Sequence, residues 1–120
     1  MSIFRVNVIA VNPREPEKQT PPVEVLVDTG SELTWLPKEV LAKAGIRPLR
    51  KRSFQTATKE IIERDIGYAI LQVEKFETND EVVFAESRDM NLLGIRTIEG
   101  FGVAVDNIGH RFVAQATLVV

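Results

Sequence analysis

The chain has 120 residues, of which 44% are hydrophobic and 27% charged; it is long enough for one domain with its own core and too apolar for a disordered chain. With no cysteine and one histidine, it sets aside disulfides, thiolate catalysis, a His-based triad and Cys or multi-His metal sites. The formal net charge of −2 lacks the basic excess of a nucleic-acid binder, and no apolar run approaches the roughly 20 residues that span a bilayer. The first ten residues carry Arg5 and Asn7 within an apolar stretch and lack the order of a secretory signal, so a cytoplasmic location is expected. Any chemistry must rest on carboxylates, hydroxyls, amines or backbone groups.

In chain order, residues 3–11 are rich in Val and Ile and read as a strand. Residues 12–22 hold four prolines among charged and amide side chains, which marks a hairpin connection. Residues 23–27 form a short β-branched run, read as a buried strand, and Asp28-Thr29-Gly30-Ser31 is a turn. Residues 33–36 read as extended. Residues 37–45 are the clearest helix, with Pro37 suited to the first helical position and Gly45 to the exit. Residues 50–56, 60–73 and 82–84 read as strands, with Ala57-Thr58-Lys59 as the tip between the first two. Leu92-Leu93-Gly94 leads into a short helix at residues 95–101. Residues 103–106 and 111–120 read as strands joined by a turn at Asn107-Ile108-Gly109-His110. Many short strands at close spacing predict an all-β barrel or sandwich in one domain spanning residues 1–120.

The segment ending in Asp28 is the informative one. A carboxylate placed directly after a buried strand is costly unless donors lie close by. Thr29 and Ser31 offer hydroxyls, and Gly30 offers an unobstructed backbone N–H. Taken alone, the tripeptide Asp28-Thr29-Gly30 also fits a strand-ending turn with no chemistry.

The run Val23–Ser31 resembles the active-site motif of the aspartic peptidases, in which an apolar strand delivers Asp-Thr-Gly-Ser or Asp-Thr-Gly-Ala to a pair of carboxylates. Leu33-Thr34-Trp35-Leu36-Pro37 resembles the strand that follows. Leu92-Leu93-Gly94 resembles the second signature of retropepsin-like proteins. In bacterial members that signature continues in a pattern matched here by Ile98-Glu99, Gly102 and Val105-Asp106. The resemblance implies a small closed retropepsin-like barrel with one or two short helices, acting as a C2 homodimer. Such peptidases need two carboxylates facing one water and sharing one proton. This chain has one such motif, so the second must come from a second copy. Asp28 would be the catalytic carboxylate, and Thr29 would bond across the axis. Gly30 would present its N–H near the dyad. Ser31 would donate to the outer oxygen of Asp28, making the optimum more acidic than in an alanine variant. The substrate would be a protein or peptide, with no metal, organic cofactor, nucleic acid or membrane partner.

The resemblance also implies a substrate-covering flap, for which Gln55, Thr56, Ala57, Thr58 and Lys59 are the candidates. Retroviral tips are glycine-rich and this one has no glycine, which leaves a structural hairpin open as the alternative. A catalytically weak dimerisation or peptide-binding module is therefore a second functional reading. A third is a plain β domain whose Asp-Thr-Gly is only a turn. Trp35 is read as core packing, Arg50-Lys51-Arg52 as a solvated strand edge and His110 as surface. Glu63, Arg64 and Asp65 are read as an exposed face, and Asp106 as a turn cap. The apolar residues 116–120 are assigned to an intersubunit sheet.

Overall fold

The computed structural model describes residues 3–116, 118 and 119. β1 (Arg5–Val11) and β2 (Val23–Val27) pair antiparallel, with Arg5 opposite Leu26 and Val8 opposite Val23. Asn12 organises the loop between them. Its amide donates to the Ala44 carbonyl at 3.0 Å, and its side-chain oxygen accepts from the N–H groups of Arg14 and Glu15 at 2.9 and 3.1 Å. β3 (Thr34–Pro37) runs directly into α1 (Lys38–Lys43). Pro37 caps this helix from outside, with ψ 131°, and does not occupy the first helical position. The reason is that Pro37 still belongs to β3, opposite Ala85.

β4 (Arg50–Gln55) and β5 (Ile61–Val73) form a long hairpin with Arg50 opposite Ile66 and Gln55 opposite Ile61. β5 turns at Glu74-Lys75 into β6 (Phe76–Ala85), with Val73 opposite Phe76. The sequence showed only residues 82–84 of this strand, because Glu77, Asp80 and Glu81 break its apolar pattern. Asp80 and Glu81 are nevertheless buried. β7 (Leu92–Leu93) is a two-residue strand, followed by α2 (Ile95–Gly100). β8 (Val103–Asp106) and β9 (Arg111–Ala114) make a separate two-stranded sheet. The strand expected over 111–120 stops at Ala114. After it the Gln115 N–H donates to the Gly102 carbonyl at 2.9 Å. Ala116, Leu118 and Val119 are exposed beyond the strand, while Thr117 and Val120 lie outside the described residues.

The main sheet has the order β1-β2-β7-β3-β6-β5-β4, and β1 also pairs with β5 through Ile9, Ala10 and Val11. The pairing therefore returns on itself and leaves β4 as an outer strand. Among the described residues the architecture is all-β with two short helices. Val8, Val25, Leu36, Leu71, Val82 and Leu93, all fully or almost fully buried, share the main core with Leu41 of α1 and Ile98 of α2. A smaller cluster of Leu33, Ile66 and Val83, flanked by Trp35 and Phe54, lies beneath β4. Among the described residues no helix is long and apolar enough to cross a membrane.

Candidate active site

Asp28 lies one residue past β2. Its N–H donates to the Leu93 carbonyl at 3.0 Å, one step beyond the parallel pairing of Val27 with Leu93. The two sequence signatures, more than 60 residues apart, are thus neighbouring strands. The chain then turns: the Ser31 N–H donates to the Asp28 carbonyl at 3.1 Å, and the Gly30 N–H to Asp28 Oδ1 at 2.9 Å. Asp28 is half-buried, while Thr29 and Gly30 are exposed. Among the described residues that one N–H is the carboxylate's hydrogen-bond partner, so most of its acceptor capacity is left unused. The Ser31 hydroxyl does not reach Asp28. It donates to the Leu33 carbonyl at 2.9 Å, a local side-chain bond typical of serine two residues before a turn carbonyl.

The start of α2 holds this loop from behind. Ile95 N–H donates to the Ser31 carbonyl at 2.8 Å and Arg96 N–H to the Glu32 carbonyl at 3.1 Å. Gly94 makes the approach possible. A Cβ there would stand 2.4 Å from the Leu33 carbonyl carbon and oxygen and 2.8 Å from the Glu32 oxygen, distances that only a glycine tolerates. The Gly94 N–H donates to the Thr34 hydroxyl at 3.0 Å. The Thr34 and Thr97 hydroxyls are 2.6 Å apart, and Thr97 donates to Asp80 at 3.0 Å. A hydroxyl has one proton, so the direction is fixed along the chain: Gly94 to Thr34 to Thr97 to Asp80.

Asp80 ends that chain in a charge network whose carboxylates are buried and whose arginines are partly exposed. Arg96 reaches Asp80 at 3.3 Å and Glu81 at 2.9 Å, and Arg50 pairs with Glu81 from β4. Burial pushes the Asp80 carboxyl above the usual carboxylate range, opposed by the Thr97 bond and by Arg96. On the other side of the hairpin Arg64 holds Asp89 through two bonds of 2.6 and 2.9 Å. The Arg64 bond keeps the Asp89 carboxyl below the usual range, against its partial burial. Glu63-Arg64-Asp65 is therefore not a uniformly exposed face: the Arg64 and Asp89 side chains are each only 11% exposed.

Gln55, Thr56, Ala57, Thr58 and Lys59 form the tip of the β4–β5 hairpin. The Thr56 N–H donates to the Glu60 carbonyl at 2.8 Å, the Lys59 N–H to the Thr56 carbonyl at 2.9 Å, and the Glu60 N–H to the Thr56 hydroxyl at 3.1 Å. Lys59 carries the left-handed conformation, φ 66°, which glycine would adopt at lower cost. The tip is a closed turn without glycine because Thr56 ties it internally. Links between the hairpin and the Asp28 loop sit lower down. Arg52 pairs with Glu32 at 2.9 Å, and Phe54 packs on Trp35 with ring centroids 5.0 Å apart.

The duller assignments divide. Trp35 is half-buried packing beside the small core cluster. Asp106 caps its turn, accepting from the Ile108 and Gly109 N–H groups at 3.0 and 2.9 Å. His110 is exposed and stacks on Phe4 at 5.7 Å. The basic run lies on the outer strand β4, but each member is paired, Arg50 with Glu81, Lys51 with Asp65 and Arg52 with Glu32. No local pattern marked the contacts of Glu32, Asp80, Thr34 or Thr97, since these partners lie 16 to 63 residues away. Two surface concavities of about 520 and 540 Å³ meet at Ile46 and Arg47. Neither is lined by Asp28, and the first includes Asn12, past the end of β1 that lies away from Asp28.

A family profile described as "gag-polyprotein putative aspartyl protease" matches residues 17–99, a span holding Asp28, the β4–β5 hairpin and Leu92-Leu93-Gly94. The fold is similar to that of the simian foamy virus (mac) protease, with a TM-score of 0.53 and 17% identity over 79% of this chain and 91% of that one. It is also similar to a foamy viral protease–reverse transcriptase in complex with double-stranded DNA, with a TM-score of 0.52 and 15% identity over 78% of this chain. This chain spans 15% of that longer polypeptide. A retropepsin-like aspartic protease from Rickettsia conorii is 22% identical over 87% of this chain and 84% of that one, with a TM-score of 0.47. No curated protein sequence matches the chain.

Proposed function

Because the chain belongs to the retropepsin-like aspartic protease family, we propose that it is an aspartic endopeptidase that works as a C2 homodimer, with one Asp28 carboxylate from each copy. The observation that carries this reading is Asp28 itself. It is fixed by backbone bonds on both sides, yet among the described residues its carboxylate has one hydrogen-bond donor. Two such carboxylates facing one water cannot both ionise, so the pair shares a proton and titrates as a unit. The ionised member takes a proton from water as it attacks the scissile carbonyl. The protonated member donates to the carbonyl oxygen. The tetrahedral intermediate then collapses with proton transfer to the leaving nitrogen.

Thr29 and Gly30, both exposed beside Asp28, are assigned to the twofold contact and to the N–H groups near the dyad. Ser31 supports the loop through Leu33, and Leu92, Leu93 and Gly94 buttress it from behind. Gln55–Lys59 is assigned to covering the substrate, whose extended backbone would pair with the hairpin. The return of β1 onto β5 supports a closed barrel, and the whole chain is assigned to one such domain. A cleft shared between two copies is not a concavity of one chain, which accounts for the placing of the two surface hollows elsewhere. The exposed Leu118 and Val119 fit an intersubunit sheet near the C-terminus. Neither metal nor organic cofactor is required. A cytoplasmic setting, with protein or peptide substrates and no nucleic acid or membrane partner, completes the assignment.

A peptide-binding dimer with little hydrolysis is the second reading, favoured by the glycine-free tip with Lys59 at φ 66°. Digestion of a complex peptide mixture from acidic to neutral pH, with wild type and Asp28→Asn side by side at high concentration, separates the two. Cuts made by wild type alone establish the peptidase and its subsite preferences. A dimer that cuts nothing supports the binding module.

A further inference from the structure

We propose that Arg52 is a positioning residue whose ion pair with Glu32 fastens the inner face of β4 to the Asp28 loop, confining hairpin movement to the residues beyond Phe54. The proposal rests on the reading that this hairpin covers substrate. Among the described residues β4 is an outer strand with β5 as its one sheet neighbour, and the contacts of its inner side are made by side chains. Alternate residues of a strand share a face, and here Arg50, Arg52 and Phe54 each meet a partner across the gap. Arg50 pairs with Glu81, Arg52 Nη2 lies 2.9 Å from Glu32 Oε1, and Phe54 packs on Trp35. The Arg52 guanidinium also sits 5.5 Å above the Phe54 ring, which joins the last two contacts into one unit. Lys51 points the other way, to Asp65.

Glu32 suits the receiving end. Its backbone carbonyl is pinned by the Arg96 N–H at 3.1 Å, while its side chain is exposed and reaches outward to β4. It stands four residues past Asp28, so the pair relates the hairpin directly to the site. Beyond Phe54 the bonds are internal to the tip, from Thr56 to Thr58, Lys59 and Glu60. The boundary between fastened and free hairpin therefore falls at Phe54–Gln55. An exposed ion pair is weak and screened by salt, which suits a contact that must hold a cover in place without stabilising the whole fold.

Trp35 is the chain's one tryptophan, and it lies against Phe54, so acrylamide quenching of its emission reports the hairpin independently of any activity. The full chain is compared with Arg52→Gln, with Glu32→Gln, and with the charge-swapped double variant Glu32→Arg/Arg52→Glu. In each single variant Trp35 quenching rises and kcat/KM falls roughly tenfold, mainly through KM, while the thermal midpoint stays near wild type. The charge swap restores both readouts. Single variants that match wild type in quenching and kcat/KM overturn the proposal, and so does a swap that restores neither. A fall in thermal midpoint that accounts for the lost activity also overturns it. A chain that cleaves no peptide, yet shows the quenching pattern and its rescue, supports the fastening by Arg52 and overturns the peptidase reading instead.

Discussion

Asp28, just past β2, and Asp80, within β6, are carboxylates with opposite surroundings. Asp28 is partly buried and, among the described residues, receives one backbone N–H on Oδ1. Asp80 is 8% exposed and receives Thr97, the Glu81 N–H and Arg96. A buried carboxylate must be saturated with donors or it destabilises the fold. A reacting carboxylate must keep acceptor capacity for water and substrate. The carboxylate proposed to react thus has a backbone-held loop and a single donor among the described residues, and the structural one has several. The two sites are also connected. Asp80 anchors Thr97 and Arg96 of α2, and α2 holds the carbonyls of Ser31 and Glu32.

The largest effect that sharpens this contrast is Asp28→Asn. It should lower kcat/KM on a defined peptide by about 10³-fold and leave the thermal midpoint near wild type. Retained turnover would remove Asp28 from the mechanism. Gly94→Ala attacks the holding of the loop instead of the carboxylate. Its Cβ overlaps the Leu33 carbonyl, so denaturant unfolding should show a loss of roughly 3 kcal/mol. A neutral result would mean that α2 can slide away from the loop.

Arg96→Met removes the cation that Asp80 and Glu81 share, at a cost of about 2 kcal/mol by thermal unfolding, with Arg50 still serving Glu81. Stability equal to wild type would show that the network is dispensable. Asp80→Asn tests the sign of burial. The folded Asp80 carboxyl sits above its ordinary value, so the folded state binds the proton more tightly than the unfolded one. Wild type should therefore lose stability as pH rises from the ordinary carboxylate range through the raised Asp80 value. The variant should lack that decline, and parallel stability–pH curves would contradict it. The smallest effect is Ser31→Ala. Losing the bond to Leu33 costs about 1 kcal/mol or less, and the acidic limb of the pH–rate profile should stay in place. A shift of that limb would mean that the hydroxyl turns to Asp28 in the working enzyme.

Local grammar made much of the molecule legible. The strand–turn at residues 23–31, the helix before Gly45, the β4–β5 hairpin and the Asn107–His110 turn all follow from short-range rules of side-chain branching, proline and glycine. Asp28 and Leu92-Leu93-Gly94 stood out as motifs for the same reason. β6 was largely missed because burial of Asp80 and Glu81 is decided by Arg50, Arg96 and Thr97, partners that no local window contains. The C-terminal strand was overextended because apolar residues 116–120 carry a strand pattern, whereas the described chain leaves the β8–β9 ladder after Ala114.

By itself the sequence singled out Asp28 as the carboxylate proposed to react, with Gly30 beside it, since that motif depends on neighbours a few residues away. Tertiary structure alone decided that the Leu93 carbonyl receives the Asp28 N–H, that α2 pins the loop, and that Arg52 meets Glu32. Those contacts join residues 20 to 65 positions apart. Their geometry exists only once the sheet order has brought the strands together.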